Sequence, residues 1–345
     1  MNVYRDMLLK VEGLCKYFPV QRGFLRRTVG YIKAVDNLSL HVQRGEVLGV
    51  VGESGCGKTT LGRCIVRVYE PTDGKMTLYV DGRELSLTEL SGEEMRLFRR
   101  SVQMIFQDPF ASLNPRMSIL ETVGEPLLVN KIASGRELEE RVAKVIQQVG
   151  LRVEHLRRYP HSFSGGQRQR IGIARALVVE PKLVVADEPV SALDVSIQAQ
   201  ILNLLKDLQE QQNLTYIFVS HNMAVIRYIS DRIAVMYAGK LVELGPKQEL
   251  LARPKHPYTE LLLAAVPRAV DRRRGHRTVT PGEPPDLAHL PSGCVFRTRC
   301  KYAKEQCAEE EPQLRELETG YFVSCHFAEE LSLTGVAPRV QSFAA

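Results

Sequence analysis

Two kinds of apolar spacing alternate along the first 250 residues. Short β-branched runs at Glu46 to Val51, Val102 to Phe106, Leu183 to Ala186 and Tyr216 to Val219 stand between longer stretches with helical spacing. Such alternation predicts an α/β core on a parallel sheet. From about Ser118 to Ser162 the pattern changes, and Val142, Val145, Ile146 and Val149 recur at helical intervals, which predicts a helical insertion. Composition shifts near residue 250. Nine of the 18 prolines lie between Pro254 and Pro338, so the tail is expected to be a loop-rich appendage with little continuous helix or strand. No internal repeat is visible, so the chain carries one copy of its unit.

Its 345 residues are long enough for two or three domains, and 44% hydrophobic with 25% charged residues excludes disorder as the main state. The longest uncharged apolar stretches, such as Ile233 to Ala238 and Leu261 to Val266, fall far short of the roughly 20 residues that cross a bilayer. Arg5, Asp6, Lys10 and Glu12 interrupt any secretory signal, so a cytosolic protein is expected. A net charge of +6 is too mild to imply nucleic-acid binding. Two local basic stretches, Arg22, Arg26, Arg27 and Lys33, and Arg272, Arg273, Arg274 and Arg277 beside Pro281, Pro284 and Pro285, read as solvated loop charge. Contact with acidic lipid headgroups is the alternative.

Residues 52–59, GESGCGKT, fit G-x-x-x-x-G-K-[ST] between the apolar run VLGVV and the helical-looking TLGRCIV. Glycines such as Gly52, Gly55 and Gly57 let the backbone wrap so that successive N–H groups face phosphates, and the following helix adds its positive dipole end. Lys58 then reaches the β- and γ-phosphates, and the hydroxyl of Thr59, followed by Thr60, ligates Mg2+. A bare Gly-rich turn before a helix is the competing reading, which the flanking strand and helix disfavour. A second apolar run, LVVADE, ends in Asp187 and Glu188, at the strand end where open α/β sheets bind ligands. Asp187 is expected to hold Mg2+ and Glu188 to act as general base toward the attacking water.

Between these elements lies FSGGQRQR, and with it the sequence resembles an ATP-binding cassette (ABC) protein. Ser164, Gly165, Gly166 and Gln167 match the family's signature motif. Gln107 after VQMIF resembles the Q-loop glutamine, Ser191 to Asp194 the D-loop, and His221 after YIFVS the switch histidine. The resemblance implies a P-loop NTPase fold: an ABC ATP-binding domain over residues 1–250, with RecA-like core, antiparallel β subdomain and helical subdomain at about 112–165, then an extension over 251–345. It also implies that Gln107 contacts Mg2+ and water, that His221 hydrogen-bonds the γ-phosphate and Glu188, and that the signature end serves ATP on a facing subunit, with Asp194 alongside. Phe18 is the candidate for stacking on adenine, with Tyr17 as the alternative.

KYFPVQRGFLRRTVGYIKAVDNLSL, FQDPFASLNPRM and HPYTELLLAAVP narrow the resemblance to the F-type ATPase subunits of oligopeptide, dipeptide and nickel importers. Such a subunit pairs with a D-type ATPase beneath two transmembrane permeases fed by an extracytoplasmic solute-binding protein, at the cytoplasmic face of the membrane. Thr59-Thr60 stands where Ser-Thr is common, and either hydroxyl serves. A soluble cassette acting on nucleic acid or ribosomes is disfavoured, because such proteins hold two cassettes or a long coiled coil. An exporter is disfavoured because exporters often fuse the cassette to membrane helices.

Cys294, Cys300, Cys307 and Cys325 crowd the tail without tight C-x-x-C knuckles, and their spacing leaves zinc, an iron-sulfur cluster and free thiols open. The resemblance implies a [4Fe-4S] cluster on these four, with a structural or regulatory role and His326 beside it rather than ligating. Cys15, Cys56 and Cys64 read as small fillers.

Overall fold

The computed structural model describes residues 6–23, 27–265 and 285–336. Arg26, Arg272, Arg273, Arg274, Arg277, Pro281 and Pro284 of the basic stretches lie outside the described residues. Two sheets are formed among the described residues. Strands β1 (Met7–Arg22), β2 (Arg27–Gln43), β4 (Asp73–Val80) and β5 (Arg83–Ser86) make an antiparallel sheet in the order β2-β1-β4-β5. The larger sheet contains β3 (Val47–Val51), β6 (Val102–Ile105), β7 (Leu183–Asp187) and β8 (Thr215–Ser220). It is completed by β9 (Arg232–Tyr237), β10 (Lys240–Pro246), β11 (Arg315–Glu318) and β12 (Tyr321–Val323), in the order β11-β12-β10-β9-β3-β8-β7-β6.

The pairs from β9 through β3, β8 and β7 to β6 are parallel. Parallel strands are covered on both faces, which is why VLGVV and TYIFVS are wholly buried and almost entirely apolar, with only Thr215 and Ser220 polar at the two ends of the second. Alternate side chains divide the core. Val185, Ile217 and Val219 face the antiparallel sheet with Leu8, Leu61 and Met236. Val184, Tyr216 and Phe218 face the opposite side with Val142, Ile171 and Ile226.

The helical insertion forms helices Ile119–Val129 and Gly135–Gln148, followed by single turns at Val153–His155 and Pro160–Ser162. Ser118 caps the first of these by accepting from the Glu121 N–H, while the Glu121 carboxylate accepts from the Ser118 N–H.

The tail is more integrated than its proline content suggests. Strand β12 pairs antiparallel with β10, and β11 with β12, so the tail adds two strands to the main sheet. Glu243 on β10 is wholly buried, and its carboxylate accepts from the Tyr321 hydroxyl at 2.5 Å and from the Lys255 and His256 N–H groups. Burial raises its carboxyl to about 7. Short strands of three or four residues carry no periodicity strong enough to read, and tertiary pairing decides them.

Phe218 is fully buried on the central strand β8. Phe218→Ala is expected to cost about 3–5 kcal/mol of stability, measurable as a lowered urea midpoint with unchanged slope.

Candidate functional site

Parallel pairing brings the chemistry to one edge. Val51 stands beside Ser220 and Asp187 beside Val219, so the segments leaving β3, β7 and β8 emerge together at their carboxyl ends. Helix Lys58–Ile65 starts just after Gly57, whose φ of 103° is open to glycine alone at little cost. A Cβ there would also strike the Ala34 carbonyl oxygen, and one on Gly52 would strike that of Met236. The loop is therefore seated tightly against its neighbours.

Lys58 is buried, and its Nζ donates to the carbonyl oxygens of Gly52 and Glu53, both at 2.8 Å. The Thr59 hydroxyl donates to Asp187 Oδ1 at 2.9 Å. Burial raises the Asp187 carboxyl above its ordinary value, and the Thr59 hydrogen bond opposes that shift.

Across the cavity, Glu188 has a φ of 45°, a conformation that non-glycine residues rarely adopt. Its N–H donates to the Val219 carbonyl at 3.0 Å. The carboxylate is held from two sides: Gln107 Nε2 donates to one oxygen at 3.2 Å, and His221 Nδ1 lies 3.0 Å from the other. Three residues from three strand ends thus meet at one carboxylate. Gly55, Gly57, Lys58, Thr59, Thr60, Gln107, Glu188 and His221 line a cavity of about 630 Å³ with Ala34, Ser54, Ser191 and Ala192. Of the last four, Ser54 belongs to the GESGCGKT stretch and Ser191 and Ala192 to the D-loop resemblance, and only Ala34 was missed, because its methyl group carries no chemical signal. A larger groove of about 860 Å³ opens near the start of β8, lined by Lys182 and Thr215, and holds none of the motif residues.

The signature residues stand apart from this cavity. Ser164 caps helix Gly165–Leu177 by accepting from the Gln167 N–H at 3.3 Å, while Gln167 Oε1 accepts from the Ser164 N–H at 3.1 Å. Asp194 stands at the N-cap position of helix Val195–Gln212, with no capping bond from its side chain. Neither this group nor Phe18 nor Tyr17 lines the Lys58 cavity. Tyr17 is engaged inward, its hydroxyl donating to Asp36 at 2.5 Å. Phe18 meets Tyr69 edge to face at 5.4 Å, with Lys16 Nζ 5.1 Å from its ring centre.

The tail reaches the back of the phosphate loop. The Glu53 N–H donates to the Tyr258 hydroxyl at 2.8 Å. The Glu53 carboxylate receives both Arg299 terminal nitrogens, at 2.7 and 2.9 Å. Sequence reasoning missed Glu53, Tyr258 and Arg299, for the only hint was the stretch HPYT. Its His256 accepts from the Tyr258 N–H and its Pro257 opens helix Pro257–Ala264, which aims the Tyr258 ring inward.

Cys294, Cys300, Cys307 and Cys325 converge on one cavity of about 20 Å³, beside His256, Phe296 and His326. The Cys294 N–H donates to the Cys307 carbonyl at 2.8 Å, which closes the loop between them. His326 Nε2 lies 3.0 Å from the Glu310 carbonyl oxygen, so its ring is engaged away from the thiols. Burial raises the Cys294 thiol to about 12 and that of Cys325 to about 11, and pushes Cys300 up as well. Among the described residues no three His, Cys, Asp or Glu side chains stand close enough together to hold a metal ion. The thiols share a cavity with room for about one water-sized sphere, less than an iron-sulfur cube needs. The donor chemistry fits a cluster, whereas the enclosed space does not.

A family model described as "ABC transporter" matches residues 35–191, and one described as "Oligopeptide/dipeptide transporter, C-terminal region" matches residues 242–307. The "Oligopeptide transport ATP-binding protein AppF" of Bacillus subtilis is 50% identical over 327 residues, covering 93% of this chain and 98% of the relative. The "Di/tripeptide transport ATP-binding protein DppF" of Pseudomonas aeruginosa is 46% identical over 325 residues, covering 94% and 99%. Among solved structures, the dimeric bacterial ABC transporter cassette MJ0796 aligns with a TM-score of 0.60 at 29% identity, covering 70% of this chain and 99% of that one.

Cys56 and Cys64 are buried, and burial pushes the Cys56 thiol up and that of Cys64 to about 11. Little thiolate is then present at pH 8. Iodoacetamide is expected to label the partly exposed Cys15 well before Cys56 or Cys64 in the native chain, as peptide mass mapping over time would show.

Proposed function

The chain belongs to the ABC transporter ATPases that carry the oligopeptide/dipeptide transporter C-terminal region, and on that premise we propose that it hydrolyses ATP to power peptide uptake through partner permeases. It is the ATPase subunit of a peptide importer and works in a dimeric ATPase attached to membrane permeases. Among the described residues no helix is long and apolar enough to cross a membrane, and the proposed association with the bilayer is peripheral, through the permeases.

The carrying observation is the Glu188 carboxylate held between Gln107 and His221 in the cavity that also contains Lys58. We assign Glu188 as the general base toward the attacking water. Gln107 and His221 fix which lone pairs it presents, and His221 also reaches the γ-phosphate. Lys58 exchanges its carbonyl partners on Gly52 and Glu53 for the β- and γ-phosphates. Gly52, Gly55 and Gly57 keep the loop amides free to face those phosphates. Thr59 and Asp187, with Gln107 nearby, are the oxygen donors for Mg2+, and Thr60 stands beside them. Mg2+ takes one or two protein oxygens and completes its shell from phosphate and water, which fits a Thr59–Asp187 pair at 2.9 Å. When bound, it neutralises charge on the phosphates during transfer.

Phe18 is the proposed adenine platform, since Tyr17 is already committed to Asp36. Ser164, Gly165, Gly166 and Gln167, with Asp194, are proposed to complete the ATP site of a facing subunit. Their helix N-terminus lies outside the chain's own cavity lining, where it is free to meet a second nucleotide. The proposed facing subunit is a D-type ATPase, the permeases number two, and an extracytoplasmic binding protein delivers the solute. Residues 1–250 form the proposed ATP-binding domain, with its helical subdomain at about 112–165, and residues 251–345 the extension. The assembly sits at the cytoplasmic face, and nucleic acid has no part in it. The proposed occupant of Cys294, Cys300, Cys307 and Cys325 is a [4Fe-4S] cluster, supported by four thiols on one cavity and requiring that cavity to widen.

Glu188→Gln is expected to bind ATP with near wild-type affinity, lose at least ~100-fold in turnover and accumulate as the closed dimer. Normal hydrolysis by this variant would remove Glu188 as base. Anaerobically purified protein should contain iron and acid-labile sulfide that vanish in Cys300→Ser/Cys307→Ser. Zinc, or no metal at all, would overturn the cluster.

A further inference from the structure

Glu53 is the residue at which the phosphate loop and the C-terminal region meet, and all of its polar groups are engaged there. Its carbonyl oxygen accepts from Lys58 Nζ at 2.8 Å, its N–H donates to the Tyr258 hydroxyl at 2.8 Å, and its carboxylate is paired in a fork with Arg299. Arg299 arrives from 246 positions away in sequence. Its side chain is only 5% exposed, and its Nη1 also reaches the Tyr237 hydroxyl at 3.3 Å. Tyr237, Tyr258 and Phe296 form a buried aromatic cluster with ring centres 4.6 to 5.4 Å apart. The fork therefore stands on a rigid support. A two-pronged guanidinium–carboxylate pair fixes orientation as well as distance, and excluding water from it strengthens the hold.

Resting on the reading of the Lys58 cavity as the ATP site, we infer that Arg299 and Tyr258 are positioning residues for ATP, acting through Glu53 to hold the phosphate loop in its binding shape. The loop must keep several N–H groups pointed at the phosphates while Lys58 changes partners, and a loop that loosens spends binding energy on being reordered. The chain anchors the loop at its second residue from outside the nucleotide cavity. This anchor gives the C-terminal region a direct effect on nucleotide affinity. A purely structural staple would alter stability and leave affinity alone.

The test measures the dissociation constant of a fluorescent ATP analogue with Mg2+ on the full-length chain, KM and kcat of the assembled transporter, and the melting temperature of each variant. Arg299→Ala is expected to weaken nucleotide binding about tenfold or more, as loss of a charge-assisted hydrogen bond does, and to raise KM more than it lowers kcat. Arg299→Lys should recover part of that loss. Tyr258→Phe, which removes only the hydroxyl, should weaken binding severalfold. Glu53→Gln should resemble Arg299→Ala, and the double variant should be no worse than the weaker single one. Arg297, whose guanidinium bonds only to Ser292 among the described residues, is the control. Arg297→Ala should leave affinity unchanged. Wild-type affinity in folded Arg299→Ala, an additive double variant, or an equal loss in Arg297→Ala would overturn the inference. Should Arg299→Ala not fold, wild-type affinity in both Arg299→Lys and Tyr258→Phe would overturn it. A wild-type chain that binds no ATP would instead sink the assignment of the cavity.

Discussion

Strands β3, β8, β7 and β6 run in one direction and are held in one register by their hydrogen bonds, and the Lys58 cavity depends on that alignment. Parallel pairing obliges strands distant in sequence to end at the same edge. Because Val51 stands level with Ser220 and Asp187 with Val219, the phosphate loop, the Glu188 turn and His221 leave the sheet within reach of one another. A slip of one residue would turn every side chain to the opposite face. Packing of specific side chains on each face opposes such a slip, since the two faces are buried in separate clusters.

The electrostatics of the cavity follow from this geometry. Positive charge sits on Lys58 and on the amides of the loop, and negative charge on Glu188 in the same cavity and on Asp187 against Thr59. The loop satisfies Lys58 with its own carbonyls, so the buried ammonium has partners within the chain. Glu188 is held in a rare backbone conformation and clamped by two neighbours, an arrangement that aims its oxygens and limits their freedom. The Ser164 helix end is equally ordered by its reciprocal cap, yet it belongs to a different surface of the chain.

The C-terminal region is tied to this machinery at three levels. Strands β11 and β12 extend the main sheet, Glu243 gathers Tyr321 and the backbone before helix Pro257–Ala264, and Glu53 gathers Tyr258 and Arg299. Arg299 lies between Cys294 and Cys300, so the segment that lines the thiol cavity also grips the phosphate loop. Two sites far apart in sequence share one short stretch of chain.

The sequence by itself determined the nucleotide chemistry. GESGCGKT, LVVADE and FSGGQRQR are contiguous, and the physics of a phosphate loop or an acidic strand end is complete within a few neighbouring residues. The alternation of strand and helix was equally legible, because a buried parallel strand is apolar along nearly its whole length. Tertiary structure alone decided that Pro-rich sequence after residue 250 contributes strands to the sheet, since three-residue strands exist only by virtue of their partners. It likewise decided that four dispersed thiols close on a cavity smaller than a cluster and that Arg299 meets Glu53. Those contacts join residues whose separation along the chain carries no periodicity, and only the folded backbone brings them within hydrogen-bonding distance.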